Sequence, residues 1–205
     1  MLIRNDVKIC PLEDSDREQF ILDNQEAFNY GAMEEFGLRD DHFEEEGEII
    51  SRSTIEASID SGDAYRIMLD GKPVGGAVVK VKGTRGDLDL LFVSPHIHSK
   101  GVGYAAWCEI EKLYPHVTVW ETVTPYFEKR NIHFYVNRCG FHIVEFYNSH
   151  HPDPAKRRKG DRSPAPEHLR CRFRSGSLWS EGLHRMPPAM RSKYTFPEFS
   201  AAGFS

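Results

Sequence analysis

The sequence predicts a mixed α/β domain: a central mixed sheet with an antiparallel N-terminal meander and helices on both faces. Three observations predict it. Residues 64–93 carry three consecutive runs of period-two alternation joined by glycine-containing turns, the pattern of a meander. Residues 101–147 then alternate helical and strand-like spacing, the order that builds a mixed sheet. Upstream, Ser15-Asp16-Arg17-Glu18 and Ser53-Thr54-Ile55-Glu56 each have the S-x-x-E form that starts a helix.

Val7 and Ile9 alternate with polar neighbours and predict a short first strand. The helix that follows buries Phe20, Ile21, Asn24 and Phe28, with Gly31 as its stop. The second helix carries Ile55 and Ile59, and an acidic connection, Glu34 to Glu48, joins the two. Tyr65, Ile67 and Leu69 form one face of the next strand, and Asp70-Gly71 supplies a tight hairpin turn. Val74–Lys82 is the return strand and Asp87–Val93 the third run, closed by Ser94-Pro95. Gly101–Leu113 predicts a helix that turns Ala105, Ala106, Ile110 and Leu113 to the sheet. Val117–Thr122 is rich in β-branched residues and predicts a strand; Glu128–Cys139 predicts a helix ended by Gly140, and Phe141–Tyr147 another strand.

The 205 residues suffice for one domain and an appendage: a folded unit over 5–147 and a basic Pro/Arg/Ser-rich tail over 148–205. The formal charge of −5 hides a polarity, since residues 1–60 sum to roughly −12 and the stretch after 152 to about +6. No apolar run approaches the roughly 20 residues that span a bilayer, and the N-terminal residues lack the pattern of a signal peptide. The chain is therefore read as cytoplasmic, with no membrane partner. Cys10, Cys108, Cys139 and Cys171 are widely spaced, without a C-x-x-C pair, and read as reduced thiols. No histidine or cysteine spacing supports a metal.

The chemistry concentrates where the buried strand Leu90–Val93 passes through a short loop into the helix at Gly101. A strand, two glycines and a helix start together aim free backbone N–H groups and the positive end of a helix dipole at one spot, which suits a pyrophosphate. Gly101 and Gly103 remove side chains that would hold a phosphate away, and Lys100 adds positive charge at the rim. A Rossmann-type reading fails, because position 106 is Ala106 where a third glycine would stand and the preceding strands form a meander.

Val93-Ser94-Pro95 followed by His98-Ser99-Lys100-Gly101-Val102-Gly103 resembles motif A of the GNAT superfamily of acetyltransferases, a strand ending Val-x-Pro and a loop Q/R-x-x-G-x-G/A. His98 stands where Gln or Arg is usual; it carries less charge at pH 7, so this departure bears on cofactor affinity. Asn131-Ile132-His133-Phe134-Tyr135 with Gly140-Phe141 resembles the family's motif B, at slightly compressed spacing. The resemblance implies acetyl-CoA as acetyl donor, held by Leu91, Phe92, Val93, His98, Ser99, Lys100, Gly101, Val102, Gly103, Tyr104 and Asn131. It implies direct attack of an amine on the thioester, with Tyr135 as general acid to the departing thiolate and backbone N–H near Phe92–Val93 polarising the carbonyl. Asp87, Asp89 and Glu121 are the candidate general bases, of which Asp87 or Glu121 is preferred.

The acidic connection 34–48 favours a cationic acceptor, a small molecule or a lysine-bearing peptide. The alternative is a non-catalytic acyl-CoA-binding module of the same fold. A nucleic-acid partner is disfavoured, because the basic residues of 156–174 lack interleaved aromatics; homodimerisation is left open. The family's sheet calls for one more strand, and the period-two candidate for it is His168–Arg174, with Leu169, Cys171 and Phe173 inward and the arginines outward.

Overall fold

The computed structural model describes residues 6–36, 44–45, 47–97, 101–125, 128–148, 150–151 and 170–176. Seven strands form one mixed sheet: β1 (Val7–Pro11), β2 (Asp63–Leu69), β3 (Lys72–Lys82), β4 (Arg85–Val93), β5 (Val119–Pro125), β6 (His142–Tyr147) and β7 (Arg170–Gly176). Their order across the sheet is β1-β2-β3-β4-β5-β7-β6. All neighbours are antiparallel except β4 and β5. Helices α1 (Arg17–Phe36) and α2 (Arg52–Ser61) cover one face, and α3 (Val102–Leu113) covers the other with a short α4 (Lys129–His133).

Several sequence expectations shift. The first capping box does not cap α1, which instead grows out of a 3-10 turn at Asp14–Asp16. α1 also runs through Gly31 to Phe36, so that glycine is not a stop. The N-cap of α2 is Ser51, whose hydroxyl accepts the Thr54 amide at 3.2 Å. Leu113, expected against the sheet, is 49% exposed; Ala106, Trp107 and Ile110 form the buried stripe of α3. The expected helix 128–139 is divided, because after His133 the backbone widens into a π turn over Phe134–Arg138. The hairpin at Asp70-Gly71 forms as expected, both residues taking positive φ. The strand expected at 168–174 is β7 at Arg170–Gly176, inserted between β5 and β6. Its start coincides with Pro125 and Tyr147, the ends of its two partners. Leu169 and the side chains of Cys171 and Phe173 lie outside the described residues.

Two apolar clusters hold the layers. Trp107 packs edge-on against Trp120 at 5.3 Å and against Phe141 at 5.1 Å under α3. On the opposite face Phe20 and Phe92 meet edge-to-face at 5.0 Å. That contact needs Gly76, because a Cβ there would stand 2.2 Å from the Phe20 ring. Arg66 is nearly enclosed beneath α1, its guanidinium bonded to Asp16 and Asp23 and lying over the Phe20 ring at 5.2 Å. Ionic and aromatic contacts thus fix α1 on the sheet, which matters because α1 forms one wall of the site.

β4 carries a bulge. Val78 pairs with Leu90 but Val79 with Leu88, so Asp89 is the extra residue. Leu88 consequently packs under α3 while Leu90 packs under α1 and α2. Pairing of β4 with β5 ends at Asp87 and Glu121, yet β4 continues to Val93 and β5 to Pro125. The two parallel strands part there, and the gap between them opens the functional cleft.

Candidate functional site

The cleft, about 660 Å³, lies where β4 and β5 diverge, between α1, the start of α3 and the segment from Glu128 to Arg138. β4 contributes Leu91, Phe92 and Val93; the start of α3 contributes Gly101, Val102, Gly103 and Tyr104; Asn131 and Tyr135 line the opposite side. Nine of the expected site residues thus share one cavity. His98, Ser99 and Lys100 lie outside the described residues.

Gly101 is the N-cap of α3 in the left-handed conformation, φ 75°, and as a glycine brings no capping side chain of its own. The amides of the first turn consequently face the cleft mouth as donors without an intrahelical acceptor. Gly103 is helical, and a Cβ there would stand 3.4–3.5 Å from the Phe134 ring and 3.7 Å from Val93 Cγ2. The cradle is therefore a space that a side chain would fill, which is what a closely approaching phosphate requires. Lys129, Arg130, His133 and Arg138 add basic groups along the same cleft. The glycine-started helix and these basic side chains together give the cleft an anion-accepting end.

Tyr135 is 7% exposed and packs edge-to-face on Phe134 and Phe141. Burial pushes its phenol well above the usual tyrosine range, and the Thr122 hydroxyl lies within hydrogen-bond reach. Thr122 gives its hydroxyl hydrogen to the Leu88 carbonyl at 2.8 Å, and its contact with the Tyr135 oxygen lowers the phenol by less than burial raises it. Burial therefore keeps Tyr135 protonated on the floor of the cleft. Asn131 Nδ2 donates to Thr124 Oγ1 at 3.3 Å, which ties α4 to β5.

Asp87 and Glu121 are not among the residues lining the cleft. They sit opposite each other at the last paired rung of β4 and β5. Glu121 Oε1 accepts from Arg85 at 3.1 Å and twice from Arg174, at 2.9 and 2.5 Å, so its electron pairs are engaged by two guanidinium groups. Asp89 accepts from Ser58 and pairs with Lys80 at 2.5 Å, which ties it to α2 and β3. Asp87, Asp89 and Glu121 are therefore not lining residues of the cleft that holds Tyr135. Glu44, Glu45 and Glu48 of the 34–48 connection are likewise engaged in structure. Glu44 and Glu45 accept backbone amides at the start of α2, and Glu48 accepts from Asn29 at 2.7 Å.

Ala27, Phe28 and Gly31 on α1, and Glu128, are cleft residues that sequence reasoning missed. For Glu128 the signal was present: residues 128, 131, 135 and 138 follow the three-to-four spacing of one helical face. The α1 residues gave none, because nothing local says which helix meets β4.

A mixed sheet that splits beside a bulged strand, with a glycine-started helix at its open end, places the chain in the mixed α/β class and sets its cleft at the split. Residues 20–141 match the model of the acetyltransferase (GNAT) family, and the chain belongs to that family. It is 48% identical over 158 residues to the uncharacterized protein YrkN of Bacillus subtilis, covering 75% of this chain and 83% of that one. Solved structures share the fold at lower identity. The ribosomal-protein-S18-alanine N-acetyltransferase of Escherichia coli matches with a TM-score of 0.58 at 15% identity, over 83% of this chain and 93% of that one. PaiA N-acetyltransferase of Thermoplasma acidophilum, in complex with coenzyme A, matches at 0.57 and 15%, over 83% and 99%. A GNAT acetyltransferase of Elizabethkingia anophelis with acetyl-CoA bound matches at 0.58 and 10%, over 84% and 99%. No helix among the described residues is long and apolar enough to cross a membrane.

Proposed function

We propose that this chain is an N-acetyltransferase that moves an acetyl group from acetyl-CoA to a primary amine by direct attack on the thioester. The observation that carries the reading is the convergence of the α3 cradle, the parted edge of β4 and the buried Tyr135 on one cleft. Acetyl-CoA supplies an activated acetyl group; the protein supplies position and charge. The amides of residues 101–104 and the basic groups Lys129, Arg130 and Arg138 hold the phosphates. The backbone of 91–93 lies along the pantetheine arm and offers N–H donors to the thioester carbonyl.

Tyr135, which lines the cleft, is the proposed donor of a hydrogen bond to the leaving sulfur. A phenol raised by burial keeps its proton more tightly than a thiol, whose ordinary pKa is about 8.5. Its work is therefore to stabilise the departing thiolate through the O–H bond. This intact donor also favours turnover over a purely sensing role. The acceptor is a cationic amine, small or peptide-borne, and the chain acts as a soluble cytoplasmic enzyme. The test is release of coenzyme A thiol from acetyl-CoA across an amine panel. Amine-dependent release slowed about ten- to a thousandfold by Tyr135→Phe supports the reading; tight acetyl-CoA binding with no release for any amine assigns the binding-module alternative.

A further inference from the structure

We infer that Glu128 is the general base, the carboxylate that takes a proton from the acceptor ammonium at the α1 side of the cleft. This rests on the acetyltransferase reading above. Among the described residues, Glu128 is the one carboxylate that lines the cleft. It occupies the N-cap position of α4, where an acidic side chain ordinarily folds back onto the helix, but it makes no such bond. Its carboxylate reaches across to α1 instead, its two oxygens standing 3.8 and 4.0 Å from the point a Cβ on Gly31 would occupy. Gly31 does not end α1, so its service is spatial: it leaves the wall open beside the carboxylate.

The charges around Glu128 are sorted. α1 presents Ala27, Phe28 and Gly31 to the cleft, none of them titratable, while Lys129, Arg130, His133 and Arg138 come from α4 and the π turn, and Tyr135 from the floor. The negative charge of Glu128 acts on Tyr135 and helps keep its phenol protonated. One cleft therefore holds an anion for the incoming cation and a proton donor for the leaving anion. The step balances. An N–H bond of the ammonium breaks as an O–H bond forms on Glu128. The freed lone pair makes the C–N bond to the acetyl carbon, the C–S bond breaks, and its electron pair stays on sulfur under the Tyr135 hydroxyl. The second ammonium proton then passes to that thiolate, and Glu128 returns its own to solvent.

Two probes separate the base from a structural role: n-butylamine, cationic at pH 7, and O-methylhydroxylamine, which is neutral there and needs no base to reach its nucleophilic form. Glu128→Gln keeps the size and polarity of the side chain. It is expected to lower kcat/KM for n-butylamine by about a hundredfold or more, the range of general-base catalysis, and for O-methylhydroxylamine by less than about threefold. Calorimetry should show unchanged acetyl-CoA affinity and weakened n-butylamine binding to the coenzyme A-loaded protein. Equal losses with both probes, or no loss with either, overturn the assignment of Glu128. Absence of coenzyme A release by the wild-type protein with every amine overturns the acetyltransferase reading, and the base with it.

Discussion

Replacing Gly103 with alanine separates the cradle from the fold. Gly103 lies in the first turn of α3 at a helical φ, and its added Cβ would meet the Phe134 ring at 3.4–3.5 Å, an ordinary van der Waals contact that needs no rearrangement. Alanine is favoured over glycine in a helix by about 0.8–1 kcal/mol, less in the first turn. The Gly103→Ala protein should therefore melt at the wild-type temperature or slightly above it. Gly101→Ala is the contrasting variant: the new Cβ meets nothing within 4 Å, but φ is 75°. A left-handed residue costs about 1–2 kcal/mol, or roughly 2–4 °C per kcal/mol for a chain of this size.

Both changes alter the surface on which the phosphates would rest. Acetyl-CoA affinity is expected to fall about tenfold or more in each, equivalent to at least ~1.4 kcal/mol. Differential scanning calorimetry paired with isothermal titration reads the two effects separately. A folded Gly103→Ala protein with unchanged affinity, or a Gly101→Ala protein as stable as wild type, would refute the account of the cradle. Gly103→Leu extends the series and should abolish binding.

Tyr135→Phe keeps the ring packing on Phe141 and should lower kcat by ten- to a thousandfold with acetyl-CoA affinity intact; a kcat unchanged in steady-state assays would make Tyr135 a packing residue. Because burial raises the Tyr135 phenol, its loss of a proton should not shape the rate profile below pH ~10. Asn24 is fully buried on α1, and neither of its amide atoms has a hydrogen-bond partner among the described residues. Asn24→Leu should thus stabilise the fold by about 1–3 kcal/mol in denaturant titration, and a loss of stability would mean that the amide has a use. Burial raises the Glu111 carboxyl above the usual range, so its stabilising contribution is complete below its ordinary pKa and is lost as pH rises through the raised one. Glu111→Gln should therefore match wild type in acid and melt higher at neutral pH; equal melting at both would refute the burial effect.

The sheet was legible where local pattern and packing agree. The meander of β2, β3 and β4 showed its period, and Asp70-Gly71 needed the positive φ that its residues tolerate. The glycine-started helix after β4 was legible because the strand end Val93-Ser94-Pro95 and the two glycines stand close together in sequence. The bulge at Asp89 was not, since Leu88, Leu90 and Phe92 alternate in sequence as though on one face, and only pairing with β3 reveals the extra residue. The π turn was hidden similarly. The sequence between Tyr135 and Gly140 reads as helix, but the backbone widens so that Tyr135 and Phe141 both reach the core. The partners of the strand carboxylates Asp89 and Glu121 were not legible. Arg174, remote in sequence, is what engages Glu121, and no local pattern announces such a partner.

Amide hydrogen exchange with and without acetyl-CoA tests the central claim most directly, because it reads where the ligand sits whatever the acceptor. Binding in the parted β4–β5 cleft predicts new protection at residues 91–93 and 101–104, with lesser protection at 128–135, and none on the β1–β2 edge. Saturating acetyl-CoA that leaves 91–93 and 101–104 unprotected, or protects a different surface, would contradict it.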